Sequence, residues 1–370
     1  MKRIKILEAI RQGQFGGGET HVLDLATHLD KGRFEPMVLS FTNGAMVDTL
    51  KERGISTSVI HTERAFDYRV WKKVRDYIVE NKIDIVHAHG TRACSNVFWA
   101  AKNTGVPLIY TVHGWSFHQD QRFPVRQLRE LSERFLTNQA NKTICVSRSN
   151  EQDGLNHFKL KRSTVIYNAV NLDKFNPQNT FKDIRAELGI APNAVVIGYI
   201  VRMTLQKDPF TMLKAMKLVC EKSPNATLLM VGDGELKEKA IQLAYELNIM
   251  DRVIFQPFRR DIPDILNAID IYCLPSLWEG FPIGILEAMA IRKAVVASPV
   301  DGTLELVEHC KTGLLVEESN PEALSKELLK LINNPTLRVQ LGQAGRRYVE
   351  QNYGIERLVE EVERLYTTLA

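Results

Sequence analysis

An α/β fold of two parallel, doubly wound units is what this sequence predicts, on three observations. Short β-branched runs alternate with helix-period segments from end to end. The chain has 370 residues, more than a single core usually organises. A polar, turn-rich stretch at Asn171–Thr180 divides the alternation into two halves.

The elements follow in order. In the first half, strands are expected at Ile4–Leu7, Pro36–Phe41, Thr57–Ile60, Ile83–His87, Leu108–Val112, Lys142–Val146 and Thr164–Tyr167. Amphipathic stretches at Glu19–Leu29, Val70–Asn81, Arg92–Lys102 and Pro124–Asn138 lie between several of them. In the second half, strands are expected at Val195–Val201, Thr227–Val231, Val253–Phe255, Ile271–Leu274, Ala294–Ala297 and Leu314–Val316. Helical patterns accompany them at Pro209–Lys222, Leu236–Leu247, Pro263–Ala268, Ile283–Ala290 and Pro321–Ile332. The tail from Thr336 to Ala370 reads as two helices broken near Asn352–Gly354. The second can reach back across a two-domain cleft. The expected division is therefore 1–172, 173–350 and a returning helix at 351–370. Ligands of open parallel sheets sit outside the carboxyl ends of the strands, so motifs at strand ends in both halves should face one cleft.

Composition narrows the function. Lys and Arg number 48 against 44 Asp and Glu, a net charge of +4, which argues against a nucleic-acid binder. The chain is 44% hydrophobic and 25% charged, an ordinary globular balance. The five cysteines, Cys94, Cys145, Cys220, Cys273 and Cys310, are widely spaced and form no CxxC pair. They read as buried, reduced thiols, which suits a cytoplasmic protein. The start Met-Lys-Arg-Ile-Lys-Ile-Leu-Glu reads as a first strand and not a signal peptide. No segment approaches the roughly 20 apolar residues of a membrane span, so any membrane contact is expected to be peripheral.

Four places could carry chemistry. Pro275 to Ala290 sets Glu279 and Glu287 eight positions apart, with a Gly/Pro turn between Glu279 and a helix starting near Ile283. A helix entrance offers free N–H groups and the positive end of the dipole, a natural phosphate site. One carboxylate would precede the helix and the other lie about one turn inside it, an arrangement that can hold a diphosphate and hydroxyls together. A hydrolase acid/base pair is the other reading of two carboxylates. Their shared short segment argues against it, because a hydrolase brackets its bond from opposite sides. Arg202 and Lys207, after the first strand of the second half, suit a diphosphate, as a fork and as a point charge. They could also be solvated loop cations. Phe15-Gly16-Gly17-Gly18-Glu19 opens a helix after the first strand, either as a loop that lets backbone approach a ligand or as a plain βα turn. It lacks GxGxxG.

Thr111-Val112-His113-Gly114-Trp115 puts a histidine at a strand's end, where it can bind a substrate hydroxyl or serve structure alone. His87 and His89 form an HxH pair with no third ligand in the neighbouring sequence. They read as lining the cleft or ending a strand, not as a metal site. Val231-Gly232-Asp233-Gly234-Glu235 is a GxG turn after a strand. No two aspartates stand two positions apart, so the DxD metal clamp is missing and the expected cofactor list is empty, with no metal. Positive charge for a leaving diphosphate would come from Arg202, Lys207 and helix N-termini.

Taken together, these segments resemble the retaining GT-B glycosyltransferases of family 4 (glycosyl transferases group 1) over nearly the whole chain. Val146-Ser147 and Thr312-Gly313-Leu314-Leu315 fit as well, and the E-x7-E segment with Glu-Ala-Met-Ala is the most specific part. The resemblance implies a GT-B fold of two Rossmann-like domains facing an interdomain cleft. It implies transfer of a sugar from a nucleoside diphosphate donor to an acceptor hydroxyl, with retention and without a metal. Arg202 and Lys207 would hold the diphosphate, Glu287 the ribose and Glu279 the transferred sugar. The backbone of Gly280, Phe281, Pro282, Ile283 and Gly284 would bind sugar hydroxyls and phosphate. Gly16 and Gly17 would approach the diphosphate, and His113 would orient the sugar near the reacting carbon. The chain departs from the family at Val201 and Met203 beside Arg202, and at Asn168-Ala169-Val170-Asn171. UDP is the expected base carrier, and a saccharide or lipid-linked saccharide the expected acceptor. A nucleotide-sugar 2-epimerase on the same fold, a phosphorylase and a non-catalytic partner subunit are the competing readings. The epimerase would not need the Glu279-to-Glu287 arrangement. A phosphorylase would need a pyridoxal phosphate lysine and a longer chain.

Segment Trp115 to Lys142 mixes Trp115, Phe117, Phe123, Leu128, Leu131 and Phe135 with Arg122, Arg126, Arg129, Arg134 and Lys142. Such a helix can lie on an anionic membrane, at the inner face of the cytoplasmic membrane, or pack on the sheet with a solvated basic face.

Overall fold

A computed structural model describes residues 2–118 and 121–370, so Met1 and, within the Trp115–Lys142 segment, Gln119 and Asp120 lie outside the described residues. The chain forms two compact units, Met1–Ala169 with Ile355–Ala370, and Val170–Gly354.

The first unit runs β1 (Ile4–Ile10), α1 (Gly17–His28), β2 (Phe34–Ser40), α2 (Ala45–Glu52), β3 (Ser56–Val59), α3 (Tyr68–Asn81), β4 (Ile85–His89), α4 (Thr91–Thr104), β5 (Leu108–Val112), α5 (Phe123–Gln139), β6 (Lys142–Cys145), α6 (Arg148–His157) and β7 (Ser163–Val165). Its seven strands are parallel, in the order β3-β2-β1-β4-β5-β6-β7. The second unit runs α7 (Ile184–Glu187), β8 (Val195–Ile200), α8 (Pro209–Lys222), β9 (Ala226–Val231), α9 (Lys237–Glu246), β10 (Val253–Gln256), α10 (Ile262–Ala268), β11 (Ile271–Leu274), α11 (Ile283–Ala290), β12 (Ala294–Ala297), α12 (Asp301–Leu306), β13 (Leu314–Leu315), α13 (Pro321–Ile332) and α14 (Pro335–Asn352). Its six parallel strands take the order β10-β9-β8-β11-β12-β13. In each sheet the first strand of the unit lies inside, and the strand order reverses direction beside it. The reversal falls between β1 and β4 in one unit and between β8 and β11 in the other.

The last helix, α15 (Ile355–Leu369), belongs to the first unit. Leu358, Val359, Val362 and Tyr366 recur at helical spacing and pack with Ile6, Leu25, Ile85, Ile109 and Ile144. Each such side chain contributes ~1.5–3 kcal/mol when fully buried. The opposite face of the sheet is covered by α3 and α4 through Val70, Val74, Ile78, Val97 and Phe98.

Three expectations need correction. The strand foreseen at Ile83–His87 is β4 at Ile85–His89, so His87 lies inside the strand, His89 ends it, and both are buried. Cys94, Cys145 and Cys273 are buried, but Cys220 is half-buried and Cys310 is exposed in the turn before β13. Helix α5 turns only part of its apolar set inward. Phe123, Leu128 and Leu131 are 71%, 66% and 60% exposed, while Glu133, Leu136 and Thr137 are buried. Glu133 anchors the helix: its carboxylate accepts from Thr91 Oγ1 (2.7 Å), the Ser116 N–H (3.2 Å) and Tyr110 OH (2.9 Å). Burial raises its pKa, and those three donors work against the rise. Among the described residues no helix is long and apolar enough to cross a membrane.

Candidate active site

A doubly wound sheet leaves a crevice at the carboxyl ends of its strands where the order reverses, because the flanking loops there diverge to opposite faces. The sequence-marked residues of the second unit gather at the β8/β11 reversal. Arg202 follows β8, and Lys207 ends a 3-10 turn at Leu205–Lys207. The OH of the buried Tyr199 donates to the Lys207 carbonyl (3.0 Å) and fixes that turn. Asp208, with φ of 50°, then caps α8 by accepting from the Thr211 N–H (3.1 Å). Across the reversal, Glu279 follows β11. The Lys207 ammonium donates to Glu279 Oε1, and the Glu279 side chain is 6% exposed. A buried carboxylate needs such a partner, because desolvation otherwise costs several kcal/mol. Two further bonds tie the loops together: Gln206 Nε2 to the Trp278 carbonyl (2.8 Å) and the Leu277 N–H to the Gln206 carbonyl (2.8 Å).

The turn from Glu279 to Gly284 is held from behind. The Glu279 N–H donates to Asp301 Oδ2 (2.9 Å), and Gly302 presses so closely that a Cβ there would lie 2.0 Å from the Gly280 oxygen. Phe281 and Pro282 are buried, and α11 opens at Ile283, with Pro282 O accepting the first N–H bonds from Ile285 and Leu286. The N–H groups of Ile283 and Gly284 precede those bonds, at the positive end of the helix. A Cβ on Gly284 would meet the Tyr272 hydroxyl at 2.3 Å, so glycine lets the first turn settle on that ring. Glu287 is the fifth residue of α11. Burial, then the nearby charges of Glu287 and Glu279, push the Tyr272 phenol well up. Arg202 is the loose member. Its side chain is 61% exposed and stands 3.7 Å from Glu235.

The Gly-Asp-Gly turn supports the backbone around Arg202. Gly232 has φ of 134°, and a Cβ there would lie 2.0 Å from the Val201 oxygen. The Met203 N–H donates to the Asp233 carbonyl (2.9 Å), and the Leu236 N–H donates to the Met203 carbonyl (3.1 Å). The turn is a backbone clamp on Val201–Met203.

The first unit brings its marked residues to the β1/β4 reversal. Gly16 caps α1, and Gly17 begins it. His113 follows β5 and is half-buried. His87 and His89 are not isolated, as their local sequence suggests. Parallel register sets Glu8 of β1 opposite His87. His89 Nε2 lies 2.7 Å from Glu8 Oε2, and Tyr366 OH donates to Glu8 Oε1 (2.6 Å). His87 Nδ1 lies 2.6 Å from Tyr366 OH and its Nε2 lies 2.7 Å from Thr111 Oγ1. Tyr366 gives its proton to Glu8, so His87 donates through Nδ1 and accepts from Thr111. His89 Nδ1 is 3.2 Å from His113 Nε2, and His21 Nδ1 is 3.1 Å from Asn168 Oδ1. Burial above all, then the proximity of the other imidazoles, lowers the pKa of His21 to about 3 and holds His87 and His113 well below the usual range. A His–Glu–Tyr network therefore fills this reversal. Besides the HxH pair, its signal in the sequence is Glu8, a charge inside the apolar run Ile4–Ile10.

Gly13 and Gly44 make a close approach that was not anticipated. A Cβ on Gly44 would lie 2.4 Å from the Gly13 carbonyl carbon, so the loops after β1 and β2 touch backbone to backbone.

Comparison with known proteins bears on this geometry. A family model described as Glycosyl transferases group 1 matches residues 180–348, and one described as Glycosyltransferase Family 4 matches residues 15–174. The chain is 29% identical over 294 residues to the UDP-Gal:alpha-D-GlcNAc-diphosphoundecaprenol alpha-1,3-galactosyltransferase of Escherichia coli, covering 78% of this chain and 76% of that protein. The crystal structure of Anabaena HepE in complex with UDP and glucose superposes with a TM-score of 0.88 at 23% identity, over 99% of this chain and 100% of that one. Sucrose-phosphate synthase from Thermosynechococcus elongatus gives 0.81 at 21% identity, over 100% and 99%.

Proposed function

This chain belongs to the family 4 type of glycosyltransferases, with the GT-B fold, and on that premise we propose that it moves a hexose from a UDP-sugar to a hydroxyl of a saccharide or lipid-linked saccharide, with retention and without a metal. The observation that carries the proposal is the Lys207–Glu279 pair at the reversal of the second sheet, beside Arg202 and the entrance of α11. Lys207 and Arg202 take the diphosphate, and the Ile283 and Gly284 N–H groups extend that field. Glu287 takes the ribose hydroxyls. Glu279 takes the transferred sugar, together with the Gly280–Gly284 backbone. The same reading gives His113 the orientation of the sugar, and Gly16 and Gly17 a close backbone approach to the diphosphate.

The proposed reaction is a front-face displacement. The acceptor oxygen bonds to the anomeric carbon as the bond from that carbon to the phosphate oxygen breaks. The acceptor's proton passes to the departing phosphate. Negative charge grows on the leaving diphosphate, so fixed cations there lower the barrier more than any protein base would. UDP and the lipid-linked acceptor are favoured by the substrate of the Escherichia coli relative, and a cell-surface polysaccharide or glycolipid pathway would consume such a product.

A thermal-shift panel of nucleoside diphosphates and UDP-sugars in excess EDTA tests the donor assignment. UDP and one UDP-hexose are expected to raise Tm through mass action. Stabilisation by GDP alone, or only with a divalent metal present, would refute it.

The acceptor side of the proposal includes peripheral membrane contact. Leu128, Leu131 and Phe135 line one exposed stripe of α5, with Arg129 and Arg134 beside them. Apolar burial plus cation attraction is what holds a helix on an anionic surface. Co-sedimentation with vesicles rich in anionic lipid at low salt is expected, with loss in a Leu128→Asp/Leu131→Asp variant. Equal recovery of both proteins with the vesicles would remove α5 from the interface.

A further inference from the structure

The strongest unassigned feature is the meeting of three imidazoles in the first unit. His21 comes from the first turns of α1, His89 from the end of β4 and His113 from just beyond β5. One ring nitrogen from each lies within 4.8 Å of the others. His89 Nδ1 and His113 Nε2 are 3.2 Å apart, close to the about 3.3 Å that two ligands keep on a tetrahedral ion with ~2.05 Å bonds. The ring centroids are 5.4, 4.9 and 5.4 Å apart. Three imidazoles on one such ion stand about 5 Å apart, from the same bond length plus the ring radius.

We propose that His21, His89 and His113 form a site for one borderline divalent transition-metal ion, of the zinc or cobalt class. His89 would bind through Nδ1, and His21 and His113 through Nε2. The outer shell is already in place. A metal-bound histidine commonly donates its other N–H to a carboxylate or carbonyl, which fixes tautomer and ring orientation. His89 Nε2 faces Glu8 Oε2 at 2.7 Å, and His21 Nδ1 faces Asn168 Oδ1 at 3.1 Å. Both bonds leave the opposite nitrogen's lone pair for the metal. The proton shared between His89 and His113 has only to move to His113 Nδ1, so three neutral imidazoles bind with no proton lost. Gly18 leaves room beside His113, since a Cβ there would already crowd its ring at 3.3 Å. Imidazole nitrogens select zinc, cobalt, nickel or copper over magnesium or calcium.

A neighbouring trio, Glu8, His87 and His89, also has ligand atoms close together. Both nitrogens of His87 are already committed to Tyr366 and Thr111 within a fully buried strand pair. That trio is the support of the site and not a second one.

The ion would not serve the chemistry proposed above, whose cations stand in the second unit. By occupying His113 Nε2 it would inhibit, a consequence that rests on the sugar-orienting role of His113. The binding itself does not rest on that role.

Cobalt titration of the metal-free 370-residue chain tests the site, in a Cys310→Ser background that removes the exposed thiol. The expected result is saturation at one equivalent with strong tetrahedral visible bands, no thiolate charge-transfer band, and displacement by zinc. His21→Gln and His113→Gln should each weaken cobalt binding at least 10-fold, with folding checked by circular dichroism. A weak octahedral spectrum in the parent protein, or saturation unchanged in both folded variants, overturns the proposal. The spectrum of the parent decides the matter even where a variant fails to fold. Tight binding without loss of transferase activity would keep the site and withdraw His113 from the sugar.

Discussion

Lys207→Ala is expected to weaken UDP binding roughly 10- to 150-fold, the equivalent of ~1.5–3 kcal/mol for a lost hydrogen bond between charged groups. Two effects act together. The diphosphate loses its most constrained cation, on a backbone pinned by Tyr199 and a side chain held by Glu279. Glu279 also loses the ammonium that offsets its nearly buried carboxylate, which is left uncompensated beside an incoming diphosphate. Turnover should fall further than affinity, since leaving-group charge is larger in the transition state than in the bound donor. Arg202→Ala should cost less affinity, near the lower end of the range. Its guanidinium is mostly solvated and must be ordered by the ligand. A Lys207→Ala/Glu279→Gln double variant separates the two effects. It should recover part of the lost affinity, because the uncompensated carboxylate is gone. Calorimetric titration with UDP reads all three variants, and an unchanged affinity in Lys207→Ala would take Lys207 out of the donor site.

The strand–helix alternation was legible because buried parallel strands are continuous apolar runs with sharp polar edges. Helices such as Pro209–Lys222 and Pro321–Ile332 carry both a proline start and an apolar stripe. Helix α6 was not legible. It buries only Asn150 and Gly154 and is marked mainly by Ser147, whose hydroxyl accepts from the Asn150 N–H (3.0 Å). The charged and glycine positions of the second unit could be singled out because they cluster in two short segments. What holds them there comes from farther away. Asp301 reaches Glu279 from 22 positions on, and Gln206 joins Trp278 across 72. The Glu8–His87–His89 network shows the same limit more sharply. Its members are neighbours only because a parallel crossover sets β4 beside β1, and Glu8 is 81 positions from His89 and 358 from Tyr366. Local spacing carries ligand signals when a motif sits on one element, and here it sits on three.

Gly302→Ala is the substitution with the largest expected effect on stability. The new methyl carbon would lie 2.0 Å from the Gly280 oxygen and 3.0 Å from the Gly280 carbonyl carbon, and both atoms are backbone. No rotamer change can relieve such a contact, so either α12 or the Glu279–Phe281 loop must move. Overpacking of this kind costs typically 1–3 kcal/mol, and an unyielding backbone partner sets the estimate at about 3. For a cooperative unit of this size that is a fall in Tm of about 6–12 °C. Movement of either element also breaks the bond from the Glu279 N–H to Asp301 Oδ2, which positions the carboxylate given to the sugar. The variant should therefore lose UDP-sugar stabilisation even at temperatures where it remains folded. Asp301→Asn provides the comparison. It keeps an acceptor for the Glu279 N–H without adding volume, so it should retain most of the stability and most of the donor response. Scanning calorimetry with and without UDP-sugar reads both variants. A Gly302→Ala protein melting within 2 °C of the parent would mean that the loop yields freely, and the rigid support inferred for Glu279 would have to be abandoned.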